Sequence, residues 1–178
     1  MNATINTENK HFPVLLDELI SIISPHYGGT FIDCTFGKGG YSKRILQNKR
    51  NKIIALDRDK DVIKKAENFK FKFGDKFKFF NLKFSEIDQI QLNKNSLKGI
   101  IFDLGYSTNQ INDPEKGLSF FSKKKLNMRM GFNKYSADEV VNKLEPTDLY
   151  KVFKFFGEEK KSKIIANKIA NYRRKKKY

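Results

Sequence analysis

The 178-residue chain is short of cysteine, of arginine, of acidic residues and of long apolar runs. Its one cysteine, Cys34, excludes an internal disulfide and a zinc site built from cysteines. A lone thiol fits a reducing compartment. No stretch of about 18 apolar residues occurs, so no membrane-spanning helix is expected. Met1 to Lys10 is polar and lacks the apolar centre of a secretory signal. Acids number 20 against 36 lysines and arginines, a formal charge of +16. A field of that sign favours a polyanionic partner. Only six of the 36 are arginines, so a solvated lysine surface explains the charge equally well. Charge alone therefore leaves nucleic-acid binding open. With 39% hydrophobic and 31% charged residues, the chain reads as globular, with room for one domain or one domain and part of another.

Apolar residues at Val14, Leu15, Leu16, Leu19, Ile20, Ile22 and Ile23 recur with helical spacing, between Pro13 and Pro25. Thr30 to Cys34 is a short apolar strand, followed at once by a glycine loop and a helix over Tyr41 to Gln47. Lys52 to Leu56 is a second buried strand ending on Asp57, and Asp61 to Asn68 a second helix. Phe69 to Phe84 admits two readings. Its Phe-Lys alternation around Gly74-Asp75 resembles a hairpin. Strand-helix-strand order on either side favours a single strand over Phe77 to Leu82, with the first run as helix end and loop. Lys98 to Asp103 is another buried strand. This alternation predicts a parallel sheet in an α/β fold. Residues 104–135 carry no clear period. Ser136-Ala137-Asp138-Glu139 then forms a capping box that opens a helix through Leu144. Pro146-Thr147-Asp148 opens another, carrying Leu149, Val152, Phe153 and Phe156. After Gly157 a third spans Glu158 to Tyr172, with Ile164, Ile165, Ile169 and Tyr172 on one face.

In parallel α/β sheets, ligands lie beyond the carboxyl ends of the strands. Three such ends here carry glycines or acids. Gly37, Gly39 and Gly40 permit a tight turn and close approach to a ligand, and the next helix offers free N–H groups. Asp57 ends the second strand, where a carboxylate can accept both hydroxyls of a ribose. Asp103 ends the last. A dinucleotide site would need a third glycine where Ser42 stands, so that fingerprint fails. An acid near the end of the first strand followed by Gly-x-Gly, here Asp33 and Gly37-Lys38-Gly39, matches a methyltransferase better.

Seven segments in order then carry a specific resemblance. They are His11 to Glu18, Asp33 to Gly40, Ala55 to Asp59, Phe102 to Ser107, Lys116 to Phe120, Leu126 to Met130 and Phe156 to Glu159. Over about residues 11–174 the chain resembles the RsmH/MraW family of bacterial 16S ribosomal RNA cytosine-N4 methyltransferases. The resemblance implies a Rossmann-like class I sheet that uses S-adenosyl-L-methionine, truncated here, with an appended helical substrate-recognition lobe. It implies a cofactor domain over 1–112, an RNA-recognition lobe over 113–178, and a cytoplasmic protein acting on 16S ribosomal RNA in the small ribosomal subunit. Cofactor residues carried over by position are Gly39, Gly40 and Tyr41 for the methionine part, Asp57 for the ribose, Phe84 beside the adenine, and Asp103 and Gln110 completing the pocket. No metal is implied.

The resemblance also implies a mechanism. The exocyclic N4 of cytosine is a poor nucleophile because its lone pair is delocalised into the ring. Asp103 would accept a hydrogen bond from the amine and receive its proton, with Ser107 and Asn109 as helpers. Tyr106 would stack on the base. Lys123, Lys124, Lys125, Arg129 and the basic terminus would contact phosphates. Three departures stand out. Tyr41 replaces the usual histidine, Asn127 the usual aspartate, and Lys116 and Leu118 the usual arginine and phenylalanine. The family's last strands have no counterpart here, which would leave the fourth strand as an open edge. A truncated remnant that binds cofactor or RNA without catalysis, and a nucleic-acid-binding module with no chemistry, remain alternatives.

Overall fold

A computed structural model describes residues 13–131 and 133–178, and their side chains apart from Lys94, Thr108 and Asn109. His11 and Phe12 of the first matching segment lie outside the described residues. The chain divides into two compact units, Met1–Gly105 and Tyr106–Tyr178.

The first unit is built on four parallel strands, β1 (Gly29–Asp33), β2 (Asn51–Leu56), β3 (Phe77–Phe80) and β4 (Leu97–Ile101), in the order β3-β2-β1-β4. The chain winds outward from β1 to β3, then returns to add β4 on the other side of β1. The switch point where ligands collect in such sheets therefore lies between the ends of β1 and β4. Side chains alternate between faces along each strand. Phe31, Ile53, Ala55, Phe77 and Ile101 join one core with Phe36, Tyr41, Ile45, Leu46, Ala66 and Phe69. Ile32, Cys34 and Leu56 join a second with Ile90. This is the expected Rossmann-like α/β arrangement of a methyltransferase.

Helix α1 (Leu16–Ile23) lays Leu16, Leu19, Ile20 and Ile23 on the first core. Val14, Leu15 and Ile22, expected in the same stripe, are exposed instead. Leu15 has φ 49°, so helical geometry begins only at Leu16. Ile22 stands two residues after Ile20, a spacing that does not share a helical face. Helix α2 (Gly40–Ile45) leaves the glycine loop. Helix α3 (Ile63–Phe73) extends past Asn68 and absorbs the Phe-Lys alternation. Phe69 and Phe73, four residues apart, meet at 5.5 Å between ring centres, while Phe71 faces outward. Gly74, at φ 57°, ends the helix before β3. The single-strand reading of this stretch holds.

The second unit is helical: α4 (Thr108–Asn112), α5 (Ala137–Lys143), α6 (Pro146–Phe155) and α7 (Ser162–Arg173). The predicted capping box opens α5. Ser136 Oγ accepts from Glu139 N–H at 3.1 Å, and Glu139 Oε2 accepts from Ser136 N–H at 3.0 Å. The Ser136 N–H, together with Lys143 3.0 Å away, holds the Glu139 carboxyl well below the usual range, at about 2. Helix α7 departs from expectation. Its buried residues are Ser162, Ala166 and Ala170, while Ile164 and Tyr172 are exposed. These small residues, spaced by four, share a face with the half-buried Ile165 and Ile169; α7 packs against α6, whose Leu149 is fully buried. The helix starts at Ser162 rather than Glu158, because Glu158 has φ 50°. No described helix is long and apolar enough to cross a membrane.

Candidate active site

The strand ends of the first unit gather four chemically distinct groups. The first is Asp33, which ends β1 and is fully buried. Its Oδ2 accepts from Ser42 Oγ at 2.7 Å and its Oδ1 from Thr35 N–H at 3.3 Å. Burial pushes its pKa up to about 6 despite those donors, with a small further push from Asp57. Asp33 thus props the loop from beneath. Ser42, the residue that breaks the dinucleotide fingerprint, is its partner.

The glycines divide by role. A Cβ on Gly39 would lie 2.6 Å from Phe69 Cζ and 2.8 Å from Phe36 Cε2, at φ 74°. One on Gly40 would lie 2.1 Å from Pro13 Cγ. Protein atoms fill both spaces, so these two glycines are needed for packing at their α-carbons. Only their backbone groups remain to meet a ligand. Gly37, at φ 49°, is different: its Cβ would meet nothing nearer than Thr35 O at 3.8 Å. Close approach to the backbone is open there.

Asp57 follows β2 and faces this loop. Its Oδ2 accepts from Gly37 N–H at 2.8 Å and its Oδ1 from Asp59 N–H at 2.8 Å. Burial raises its pKa, against the pull of the Asp59 and Gly37 N–H groups. The Arg58 N–H also pulls on this carboxyl, so of a carboxylate's roughly four acceptor positions about one is left for a ribose hydroxyl. Asn81, just after β3, donates to the Asp57 carbonyl at 2.8 Å and fixes the neighbouring strand end against it.

Asp103 lies two residues past β4 and is exposed. Its backbone N–H donates to Thr35 Oγ1 at 2.7 Å, tying the β4 end to the loop after β1 across the switch point. Tyr41, buried on α2, donates its hydroxyl to the Val14 carbonyl at 2.6 Å. Burial, and then the Asp103 carboxylate beside it, push the phenol up to about 12. Tyr41 and Asp103 are therefore neighbours, and the Tyr41 side chain is committed inward. Phe84, after β3, remains partly exposed and meets Phe102, after β4, edge to face at 5.6 Å.

The remaining predicted residues belong to the second unit. Ser107 and Gln110 hold each other. Ser107 Oγ accepts from Gln110 N–H at 3.2 Å, and Gln110 Oε1 accepts from Ser107 N–H at 2.9 Å, a capping box on α4. The Asn109 side chain lies outside the described residues. Tyr106, Lys123, Lys124, Lys125 and Arg129 are exposed, with Lys124 paired to Glu115 at 3.0 Å.

Sequence reasoning missed Thr35, Asn81, the Asp33–Ser42 pair and Phe102. Nothing in a Thr or Asn near a strand end announces a partner 68 or 24 residues away. The donor set fits a nucleoside cofactor. It offers a carboxylate with an acceptor position left for a ribose hydroxyl, an unobstructed glycine backbone beside it, a half-exposed aromatic pair for a flat base, and a second carboxylate at the adjoining strand end.

The comparisons with known proteins agree with this geometry. A family model, that of the MraW methylase family, matches residues 8–178. The chain is 40% identical over 167 residues to the ribosomal RNA small subunit methyltransferase H of Rickettsia bellii (strain OSU 85-389), covering 94% of this chain and 54% of that protein. It is 42% identical over 168 residues to the protein of the same name from Orientia tsutsugamushi (strain Ikeda), with the same coverage. The chain thus spans about half the length of the curated relatives it matches. A methyltransferase sheet with acids at the ends of β2 and β4, and a family match over nearly its whole length, show that this chain belongs to the MraW methylase family.

Proposed function

We propose that this chain carries the cofactor-binding and proton-accepting machinery of a 16S ribosomal RNA cytosine-N4 methyltransferase, with S-adenosyl-L-methionine as methyl donor. The observation that carries this reading is Asp57. Its carboxylate is fixed by the N–H groups of Gly37 and Asp59, with acceptor capacity to spare beside an open glycine backbone.

In this reading Asp57 holds the ribose hydroxyls and Phe84 lies beside the adenine. The backbone of Gly39, Gly40 and Tyr41 meets the methionine part, and Asp103 completes the pocket of the first unit. When bound, S-adenosyl-L-methionine supplies an electrophilic methyl group. Asp103 accepts a hydrogen bond from the cytosine N4 amine, localising its lone pair, and takes the proton the amine releases. Thr35 keeps the Asp103 backbone in place for this task. Ser107 and Asn109 assist on the substrate side, and Tyr106 stacks on the base. The helices from residue 113 onward form the RNA-recognition lobe, whose lysines meet phosphates. The protein works in the cytoplasm on the small ribosomal subunit.

The test is tritiated methyl transfer to small-subunit particles, beside calorimetric titration with S-adenosyl-L-methionine. Asp103→Ala should lower transfer by about 100-fold or more while retaining measurable cofactor affinity. Full transfer by that variant would remove Asp103 from the mechanism. Cofactor binding without transfer by the unaltered chain would favour the remnant that binds and does not catalyse.

A further inference from the structure

Phe84 and Phe102 leave opposite edges of the sheet. β3 and β4 are separated by β2 and β1, three interstrand spacings, or roughly 14 Å. The two rings nonetheless meet at 5.6 Å between centres and 90° between planes. With the β4 end tied to Thr35, the segment after β3 turns inward toward it. Two bonds fix its path. Asn81 donates to the Asp57 carbonyl at 2.8 Å, and Glu86 Oε2 accepts from Lys83 N–H at 2.9 Å.

The pair differs from the aromatic contacts of the unit's core. Phe36, Phe69 and Phe77 also pack ring against ring, but all three are buried. Phe84 is 42% exposed and Phe102 50%. An edge-to-face pair fixes the orientation of each ring and adds attraction beyond area burial. The strap that carries Phe84 is bonded to Asp57 itself. A base joined to a ribose on Asp57 thus comes within reach of this half-covered aromatic surface.

We propose that Phe102 is an adenine-positioning residue, bracing the Phe84 ring so that the pair forms a preset apolar wall for the base of the cofactor. The proposal rests on the cofactor reading given above and adds a residue to it. Phe102 acts through Phe84, so its removal loosens the base subsite and leaves the ribose and amino-acid subsites intact.

The experiment is calorimetric titration of the 178-residue protein with two ligands. S-adenosylhomocysteine carries base, ribose and amino-acid tail, whereas 5′-methylthioadenosine lacks the tail. Stacking on an aromatic side chain contributes to binding of the base, and loss of the brace forfeits part of that. Phe102→Ala should weaken both ligands by a similar factor, roughly tenfold. Phe102→Leu, which keeps apolar volume without a ring, should weaken both alike and serves if the alanine variant fails to fold. Phe102→Tyr should restore affinity to within about twofold. Unchanged affinity in the alanine and leucine variants overturns the proposal while the cofactor reading stands. So does a loss confined to S-adenosylhomocysteine, because the effect would then lie on the tail. If the unaltered protein binds neither ligand, the cofactor reading fails and the proposal falls with it.

Discussion

The two units of this chain bury opposite kinds of residue. In the first, the fully buried side chains include Phe31, Phe77, Ile32, Ile45, Ile53 and Leu56, large residues on or beside strands. In the second, among the described residues, Leu149 and Ala166 are fully buried and the small Ser162, Ala170 and Ser136 nearly so, while Phe120, Phe121 and Phe156 stand in solvent. Ile100 on the edge strand β4, read as buried from sequence, is 45% exposed, whereas inner parallel strands such as β1 and β2 turn hydrophobicity directly into burial. A short helix pair closing on a seam of small residues does not, because approach of the backbones decides what fits. Hydrophobicity in sequence is thus a guide to the core of the first unit and a poor one in the second.

This contrast can be broken by substitution. The largest effect belongs to Phe77→Ala. Phe77 is fully buried and touches Phe36 and Phe69 at 5.4 and 5.3 Å between ring centres. Urea denaturation should show a loss of about 3–5 kcal/mol. A loss under about 1 kcal/mol would mean that the aromatic core is not packed as described.

Next comes the buried acid. Asp33 has a folded pKa of about 6, raised above its ordinary 3.8. Its contribution to stability is therefore fully present below 3.8 and is lost as pH rises through about 6. The rise corresponds to on the order of 3 kcal/mol. Asp33→Asn keeps the size of the group and a partner for Ser42 but cannot ionise. Relative to the unaltered protein, the variant should gain stability steadily between pH 4 and 6 and be the more stable at pH 7, by roughly that amount at most. Parallel pH profiles for the two proteins would contradict this account of Asp33.

The second unit gives the smaller effects. Ala166→Leu adds apolar volume to a seam that has none to spare, and should cost about 1–3 kcal/mol. Phe120→Ser removes a large apolar side chain that buries nothing, and should change stability by less than about 0.5 kcal/mol. The reverse ranking would show that large apolar residues hold this unit after all.

The same physics explains what the sequence made legible. Strands β1, β2 and β4 follow from short apolar runs that end on Asp33, Asp57 and near Asp103. The α5 cap follows from Ser136 and Glu139, whose partnership spans only three residues. The α3 end was harder to read, because Phe-Lys alternation fits a strand as well as two faces of a helix. The inward face of α7 was legible in part: Ile165 and Ile169 are half-buried beside Ala166 and Ala170, whereas Ile164 and Tyr172 are exposed. In the site, Asp57 and Asp103 were legible from their place at strand ends. Thr35 and Phe102 were not, because their roles rest on contacts made only when the sheet brings β1, β3 and β4 together. Gly39 and Gly40 were found for a reason the structure revises: their α-carbons are enclosed by Phe36, Phe69 and Pro13.

The central claim is that the β2-end carboxylate holds the cofactor ribose. The most direct measurement is calorimetric titration of Asp57→Ala with S-adenosylhomocysteine, with circular dichroism confirming that the variant folds. A charge-assisted hydrogen bond at about 1.5–3 kcal/mol predicts a loss of affinity of roughly tenfold to 100-fold. A folded variant that binds as tightly as the unaltered protein would contradict the account.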